Sequence, residues 1–82
     1  MYYVYFLKSE KDKGYYIGYS SDLRLRFEEH RSGKADSTKN RRPLELVYYE
    51  SYKNKSAAQE RERKLKQFGS AYKGLLKRLK LR

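Results

Sequence analysis

Two short aromatic runs on either side of a polar, glycine-containing turn constrain this chain more than any other feature. Tyr2 to Leu7 reads Tyr-Tyr-Val-Tyr-Phe-Leu, and Gly14 opens Tyr15-Tyr16-Ile17-Gly18-Tyr19. Both runs are rich in strand-forming residues and too short for helices, and the polar stretch Lys8 to Lys13 joins them. The pattern predicts a β-hairpin. With the turn centred near Lys11 and Asp12, Gly18 lies opposite Tyr5. Tyr16 is then a diagonal neighbour of Tyr5 on the same face, because side chains alternate along a strand. A slip by one residue would put the two tyrosines on opposite faces. In this register the glycine leaves space beside the Tyr5 hydroxyl.

The elements that follow have their own signals. Ser20, Ser21 and Asp22 are residues that cap helix N-termini, so a helix should follow, with Leu23 and Phe27 four apart and Gly33 as a left-handed C-cap. Ser32 to Pro43 is polar, basic and broken by Gly and Pro, which predicts a loop. Leu44 to Glu50 reads as a third strand. Ser56 with Gln59 resembles a capping box, opening a helix that runs to about Phe68 and stops at Gly69. Ser70 caps a last helix carrying Tyr72, Leu75, Leu76 and Leu79, whose basic end is expected to fray. The order β-β-α-β-α-α defines an α+β domain. One three-stranded antiparallel sheet with helices packed on it is the simplest way to bury these faces. The 82 residues suffice for one domain spanning 1–82.

Charge narrows the classes of partner. Lys and Arg number 21 and Asp and Glu 10, a formal excess of +11. Such an excess attracts polyanions, nucleic acid first and anionic membrane second, although a merely basic domain would show it too. There are no cysteines, which excludes disulfides, zinc ribbons and cysteine nucleophiles and fits a reducing compartment. No apolar run approaches the ~20 residues that span a bilayer, and Met1 leads straight into a strand rather than a signal peptide. The expectation is a cytoplasmic protein with no membrane partner. Most of the ten tyrosines are expected to be structural, with apolar bodies buried and hydroxyls at the water boundary.

A smaller set of side chains carries possible chemistry. Arg26 and His30, four apart on the first helix, project from one side. Arginine's rigid fork of donors matches phosphate oxygens. The lone histidine suits an acid/base group, a phosphate donor or a helix C-terminal cap, and taken alone the capping or surface reading is preferred. On the second helix Ala58, Glu62 and Leu65 share one side while Glu60 points away. A carboxylate at the edge of an apolar stripe is either partnered by a cation or bound to a metal. For an isolated Glu the ion pair would be preferred. Two tyrosines, an arginine, a histidine and a carboxylate on facing elements match what phosphodiester hydrolysis needs.

At this point the residues resemble the GIY-YIG superfamily. Its first strand ends in Gly-Ile-Tyr, its second carries Tyr-Ile-Gly, its first helix has Arg and His four apart, and a later helix bears a Glu. Here the first motif reads Tyr3-Val4-Tyr5, so its tyrosine is kept and its glycine is replaced by Tyr3, while Tyr16-Ile17-Gly18 is intact. Tyr16 to Gly33 is similar to the helix motif throughout, and Ala58 to Lys66 resembles the segment carrying the metal-ligand Glu, which falls on Glu62. The likeness is closest to the small stand-alone bacterial branch. It implies that Tyr5, with His30 or through water, helps activate the attacking water, and that Tyr16 orients that water or the scissile phosphate. Arg26 would bind the phosphate, and Glu62 would hold one Mg²⁺ or Mn²⁺. No residue matches an additional catalytic Asn; Asn40 and Asn54 lie in the wrong places.

The basic surface suggests where nucleic acid, with DNA favoured, would be held. Lys34, Lys39, Arg41 and Arg42 lie in the loop, and Arg61 to Arg82 holds nine Lys or Arg against one Glu. These could grip phosphates in a salt-sensitive way, or simply be a solvated face. No base-reading motif is present, so no sequence specificity is expected. One small domain offers one active site, as a monomer or weak dimer. Three readings therefore compete: a metal-dependent endonuclease, a nucleic-acid-binding domain with the same fold and little cleavage, and a basic domain docking on another protein.

Overall fold

The computed structural model describes residues 1–81. Strands β1 (Tyr2–Ser9), β2 (Tyr15–Ser20) and β3 (Leu44–Tyr52) form one antiparallel sheet in the order β2-β1-β3. Helices α1 (Leu23–Ser32), α2 (Lys55–Lys66) and α3 (Ser70–Arg78) complete the predicted order, and a 3₁₀ turn at Lys39–Arg41 interrupts the loop before β3.

The central strand decides how the layers sit. Val4, Tyr5, Phe6 and Leu7 are all buried. Since successive side chains point to opposite faces, β1 must be covered on both. Val4 and Phe6 join Ile17 with Ala58 and Leu65 of α2 and Leu75 and Leu76 of α3 in the larger cluster. Tyr5 and Leu7 join Leu44, with Tyr16, Leu46 and Leu23 and Phe27 of α1, in the smaller one. The sheet is thus the middle layer, with α2 and α3 on one side and α1 on the other. On the α2 side Glu50 accepts a two-pronged pair from Arg61, both contacts 3.0 Å. It also accepts bonds from the hydroxyls of Tyr48 (2.8 Å) and Tyr52 (2.5 Å).

The hairpin register is the predicted one: Tyr5 pairs with Gly18, Leu7 with Tyr16 and Lys8 with Tyr15. Asp12 stabilises the turn by accepting from the Gly14 N–H at 2.8 Å. Ser9 Oγ accepts from the N–H groups of Lys11 and Asp12. On the other side of β1 the pairing shifts between Phe6 and Leu7, so that Val47 is the extra residue of a bulge.

Helix ends follow their chemistry with three differences from expectation. Asp22 caps α1 by accepting from the Leu25 N–H, and Gly33 closes it with φ +88°. The N-cap of α2 is Asn54 rather than Ser56; its side chain accepts from the N–H groups of Ser56 and Ala57, so no capping box forms. Helix α2 ends at Lys66, and Phe68 takes a left-handed φ of 57°. Gly69 therefore stands as N-cap of α3, a place expected for Ser70, which is already helical. Helix α3 ends at Arg78; of the basic C-terminal segment, Arg82 lies outside the described residues.

Candidate active site

Tyr5 and Gly18 face each other across the hairpin, and the glycine is there because nothing larger fits. A Cβ built on Gly18 would lie 2.3 Å from both Cζ and Oη of Tyr5. The space beside Tyr5 is thus occupied by its own phenol, which leans across β2 rather than leaving a void. The leaning ring meets Tyr16 at 6.4 Å between centroids and His30 at 5.7 Å, and Tyr16 and His30 are 5.1 Å apart.

These three rings converge on a buried hydrogen-bond chain. Tyr5 Oη lies 2.9 Å from His30 Nε2, and His30 Nδ1 lies 2.6 Å from Thr38 Oγ1. His30 and Thr38 have no exposed surface and Tyr5 has 1 %. The surface and capping readings of His30 therefore fail: α1 points its last turn inward, and the loop closes over the ring from the other side. Burial, with help from the Arg26 charge, pushes the His30 pKa down to about 4, so the ring is neutral at pH 7. Burial pushes the Tyr5 hydroxyl up to about 12, with Arg26 opposing that rise and the charge of Glu62 adding to it. A neutral tyrosine beside a neutral imidazole is the resting state.

The charged groups stand at the rim. Arg26, with a side chain 36 % exposed, pairs with Glu29 at 3.1 Å on its own helix. Glu62 is half-buried on α2 and pairs with Lys66 at 3.0 Å. The Lys66 ammonium in turn lies 6.0 Å from the centroid of the Tyr16 ring. The loop cations are disposed differently. Arg41 clamps Asp12 of the hairpin turn through contacts of 2.6 and 3.2 Å and holds its carboxyl down at about 2. Arg42 donates to the Lys39 carbonyl and packs against Gly33. Lys39 pairs with Asp36 at 3.6 Å, and Lys34 is exposed. The structure thus brings Tyr5, Tyr16, Arg26 and His30 together and sets Glu62 near them. Of the four loop cations, Arg41 is committed to bracing the turn.

Two neighbours of this group were not singled out from the sequence. Thr38 lies in the loop after α1 has ended at Ser32, so no helical repeat relates it to His30, and Lys66 was one of several lysines on a basic helix. A lysine four residues after Glu62 is the pattern that would have identified its partner.

The donor set fits a divalent cation in one way. Among the described residues no group of three or more His, Asp or Glu side chains converges to hold a metal. Mg²⁺ is commonly held by one or two carboxylates with waters and substrate phosphates. Glu62, partly exposed beside Tyr5 and Tyr16, fits that single-carboxylate role once Lys66 moves off it.

A three-stranded antiparallel sheet with an aromatic hairpin, Tyr-Ile-Gly on its edge strand and Arg and His on the following helix define a domain of the nuclease type. The chain belongs to the GIY-YIG catalytic domain family, whose model matches residues 1–75. It is similar to a UPF0213 protein of Staphylococcus haemolyticus, 43 % identical over 72 residues and 87 % of each chain. A UPF0213 protein of Staphylococcus epidermidis is 45 % identical over 67 residues and 80 % of each chain. Among solved structures, the solution structure of a UPF0213 protein from Bacillus halodurans superposes with a TM-score of 0.60 at 35 % identity. That match covers 98 % of this chain and 86 % of the other. No helix of the described residues is long and apolar enough to cross a membrane.

Proposed function

We propose that the protein is a divalent-metal-dependent endonuclease that hydrolyses phosphodiester bonds in nucleic acid, with DNA the favoured substrate. The observation that carries this reading is the buried Tyr5–His30–Thr38 chain, which has Tyr16 against its tyrosine and feels the charges of Arg26 and Glu62.

The chemistry follows from the resting protonation states. If the Thr38 hydroxyl accepts from Nδ1–H, the lone pair at Nε2 accepts the Tyr5 proton. Tyr5 can then take a proton from the attacking water as its own passes to His30, and no free phenolate is formed. The relay matters because a hydroxyl with a pKa near 12 makes a poor anion at pH 7. Tyr16, half-exposed beside it, orients the water or the phosphate. Arg26 lies within reach of solvent and donates to non-bridging oxygens as charge grows on them. Glu62 would hold Mg²⁺ or Mn²⁺, which supplies Lewis-acid stabilisation of the leaving oxygen. Lys34 and Lys39 extend the basic surface for the phosphates on either side. The proposed setting is cytoplasmic, with one site per chain in a monomer or weak dimer.

A second reading, a binding domain with little cleavage, is favoured by one observation: Lys66 occupies Glu62. The deciding experiment incubates purified protein with single-stranded, nicked, flapped and duplex DNA under Mg²⁺ and Mn²⁺. The expected result is cleavage that Arg26→Ala and Glu62→Gln abolish. Cleavage indifferent to both variants, or none of any substrate, would sink the nuclease. Salt-sensitive binding that survives Glu62→Gln without metal would establish the second reading.

A further inference from the structure

A cleft lies next to the candidate active site and takes no part in the chemistry proposed for it. It opens on the α1 side of the sheet and has a volume of about 490 Å³, within the usual range for small-molecule sites. Tyr3 and Tyr49 form one wall, edge to face with centroids 6.1 Å apart. Leu46 and Phe27 are apolar parts of the same lining. Tyr49 is 53 % exposed, a large aromatic surface left facing water.

The cleft has a cause in the packing of Tyr5. Tyr5 pairs with Gly18 on one side and with Tyr49 on the other. Its ring leans over Gly18, away from β3, and so leaves room on the Tyr49 side. Neighbouring strands lie ~4.8 Å apart, so the Tyr49 wall begins one strand spacing from the catalytic tyrosine. Helix α1 serves both places, with Arg26 and His30 at the active site and Phe27 in the cleft.

We propose that this cleft receives one unpaired base of a single-stranded segment of the substrate, next to the phosphate to be cut; the proposal rests on the nuclease reading. The lining chemistry selects a base over other occupants. Aromatic faces stack on any base, whatever its identity. Asp22 and Glu28 stand among the lining residues. Asp22 caps α1 through the Leu25 N–H and Glu28 is held by Arg31, so these carboxylates form an acidic border that disfavours a phosphate inside the cleft, and the aromatic wall selects the base. Arg24, also in the lining, is left to meet the adjoining backbone. The chain's charge of +11 draws the polyanion in. A base paired in a duplex cannot enter, so the cleft gives the enzyme a preference for single-stranded or frayed sites without sequence specificity.

The test uses the full chain in chelator, with oligonucleotides carrying 2-aminopurine at successive positions, as DNA and as RNA, single-stranded and duplex. One position in the single strand should be quenched on binding, with the DNA and RNA arms showing which sugar is accepted. Tyr49→Ala should remove that quenching and cut the ratio of single-strand to duplex affinity about tenfold, while Tyr49→Phe should keep both. An abasic residue at the quenched position should weaken wild-type binding and leave Tyr49→Ala unaffected. A ratio unchanged in Tyr49→Ala overturns the proposal. So does a wild-type dimer in sedimentation that Tyr49→Ala makes monomeric, since a second copy would then fill the cleft. Cleavage assays run alongside separate the two readings. Cleavage without a stacking signal removes the cleft alone, stacking without cleavage removes the nuclease alone, and neither binding nor cleavage removes both.

Discussion

Tyr5 fills the volume that any side chain at position 18 would need, with its hydroxyl 2.3 Å from where a Cβ would stand. The same lean carries that hydroxyl to His30, 2.9 Å away. Gly18→Ala must therefore push the ring off His30. Overpacking of this kind costs about 1–3 kcal/mol, and urea unfolding should show a loss in that range. The larger effect should fall on catalysis. A displacement of ~1 Å in a reacting group costs on the order of a hundredfold in rate. A variant that folds with near-normal stability and cleaves at the wild-type rate would show that Tyr5 is not held by Gly18.

Acid should weaken the fold through His30. Its pKa is about 4 when folded and 6.5 in the reference state. Below pH 6.5 the unfolded chain binds a proton that the folded one refuses, so stability falls as pH drops toward 4 and then levels off. The total is about 3 kcal/mol. Asp12, held down at about 2 by Arg41, titrates lower and does not share that window. Denaturation midpoints measured between pH 7 and 4 should decline in the wild type and stay flatter in His30→Gln, whatever that variant's absolute stability.

Much of the fold could be read in the residues because local signals agreed with the tertiary arrangement. The hairpin register followed from alternation and turn length, and the placing of Ala58 and Leu65 in the core followed from helical geometry. Elsewhere two candidates competed for one role. Asn54 and Ser56 both make good N-caps, and Asn54 won because its side chain reaches two N–H groups. Gly69 looked like a stop, but Phe68 takes the left-handed turn and Gly69 begins the next helix. At the site, strand alternation set Tyr5 and Tyr16 on one face and the helical repeat set Arg26 and His30 on one side of α1, while the family resemblance implied that the two pairs work together. The burial of His30 was not legible. It depends on a loop folding back to present Thr38, and no periodicity encodes a contact made by a loop. For the same reason Arg41 looked like a free cation until the hairpin turn supplied Asp12.

Thr38 should act as a positioning residue for His30. Thr38→Val keeps the shape and removes the group 2.6 Å from Nδ1. An unpaired buried ring nitrogen costs about 1–3 kcal/mol, and the ring loses the contact that fixes its tautomer. The expected result is a lower kcat with KM little changed, and rescue by Thr38→Ser, which restores the hydroxyl. Nitrogen-15 NMR of the ring supplies an independent signature, a single tautomer in the wild type and a mixture in Thr38→Val. A single tautomer in both, with equal kcat, would reduce Thr38 to a packing residue.

Lys66 and the proposed metal compete for the same carboxylate. The ammonium sits 3.0 Å from Glu62 on a part-exposed helix face, where such pairs are worth about 0.2–1 kcal/mol. Replacing Lys66 with Met should free Glu62 and lower the half-saturating Mg²⁺ or Mn²⁺ concentration by up to ~5-fold. Glu62→Gln should remove specific metal binding in either background. Mn²⁺ binding followed by electron paramagnetic resonance, without nucleic acid, isolates this effect from substrate affinity. Lys66 also stands near the Tyr16 ring, where it could meet a phosphate instead. In that case Lys66→Met would raise KM for nucleic acid and leave Mn²⁺ binding unchanged. Tighter Mn²⁺ binding in Lys66→Met would make the Lys66–Glu62 pair a resting-state block on the site, released when metal and substrate arrive together.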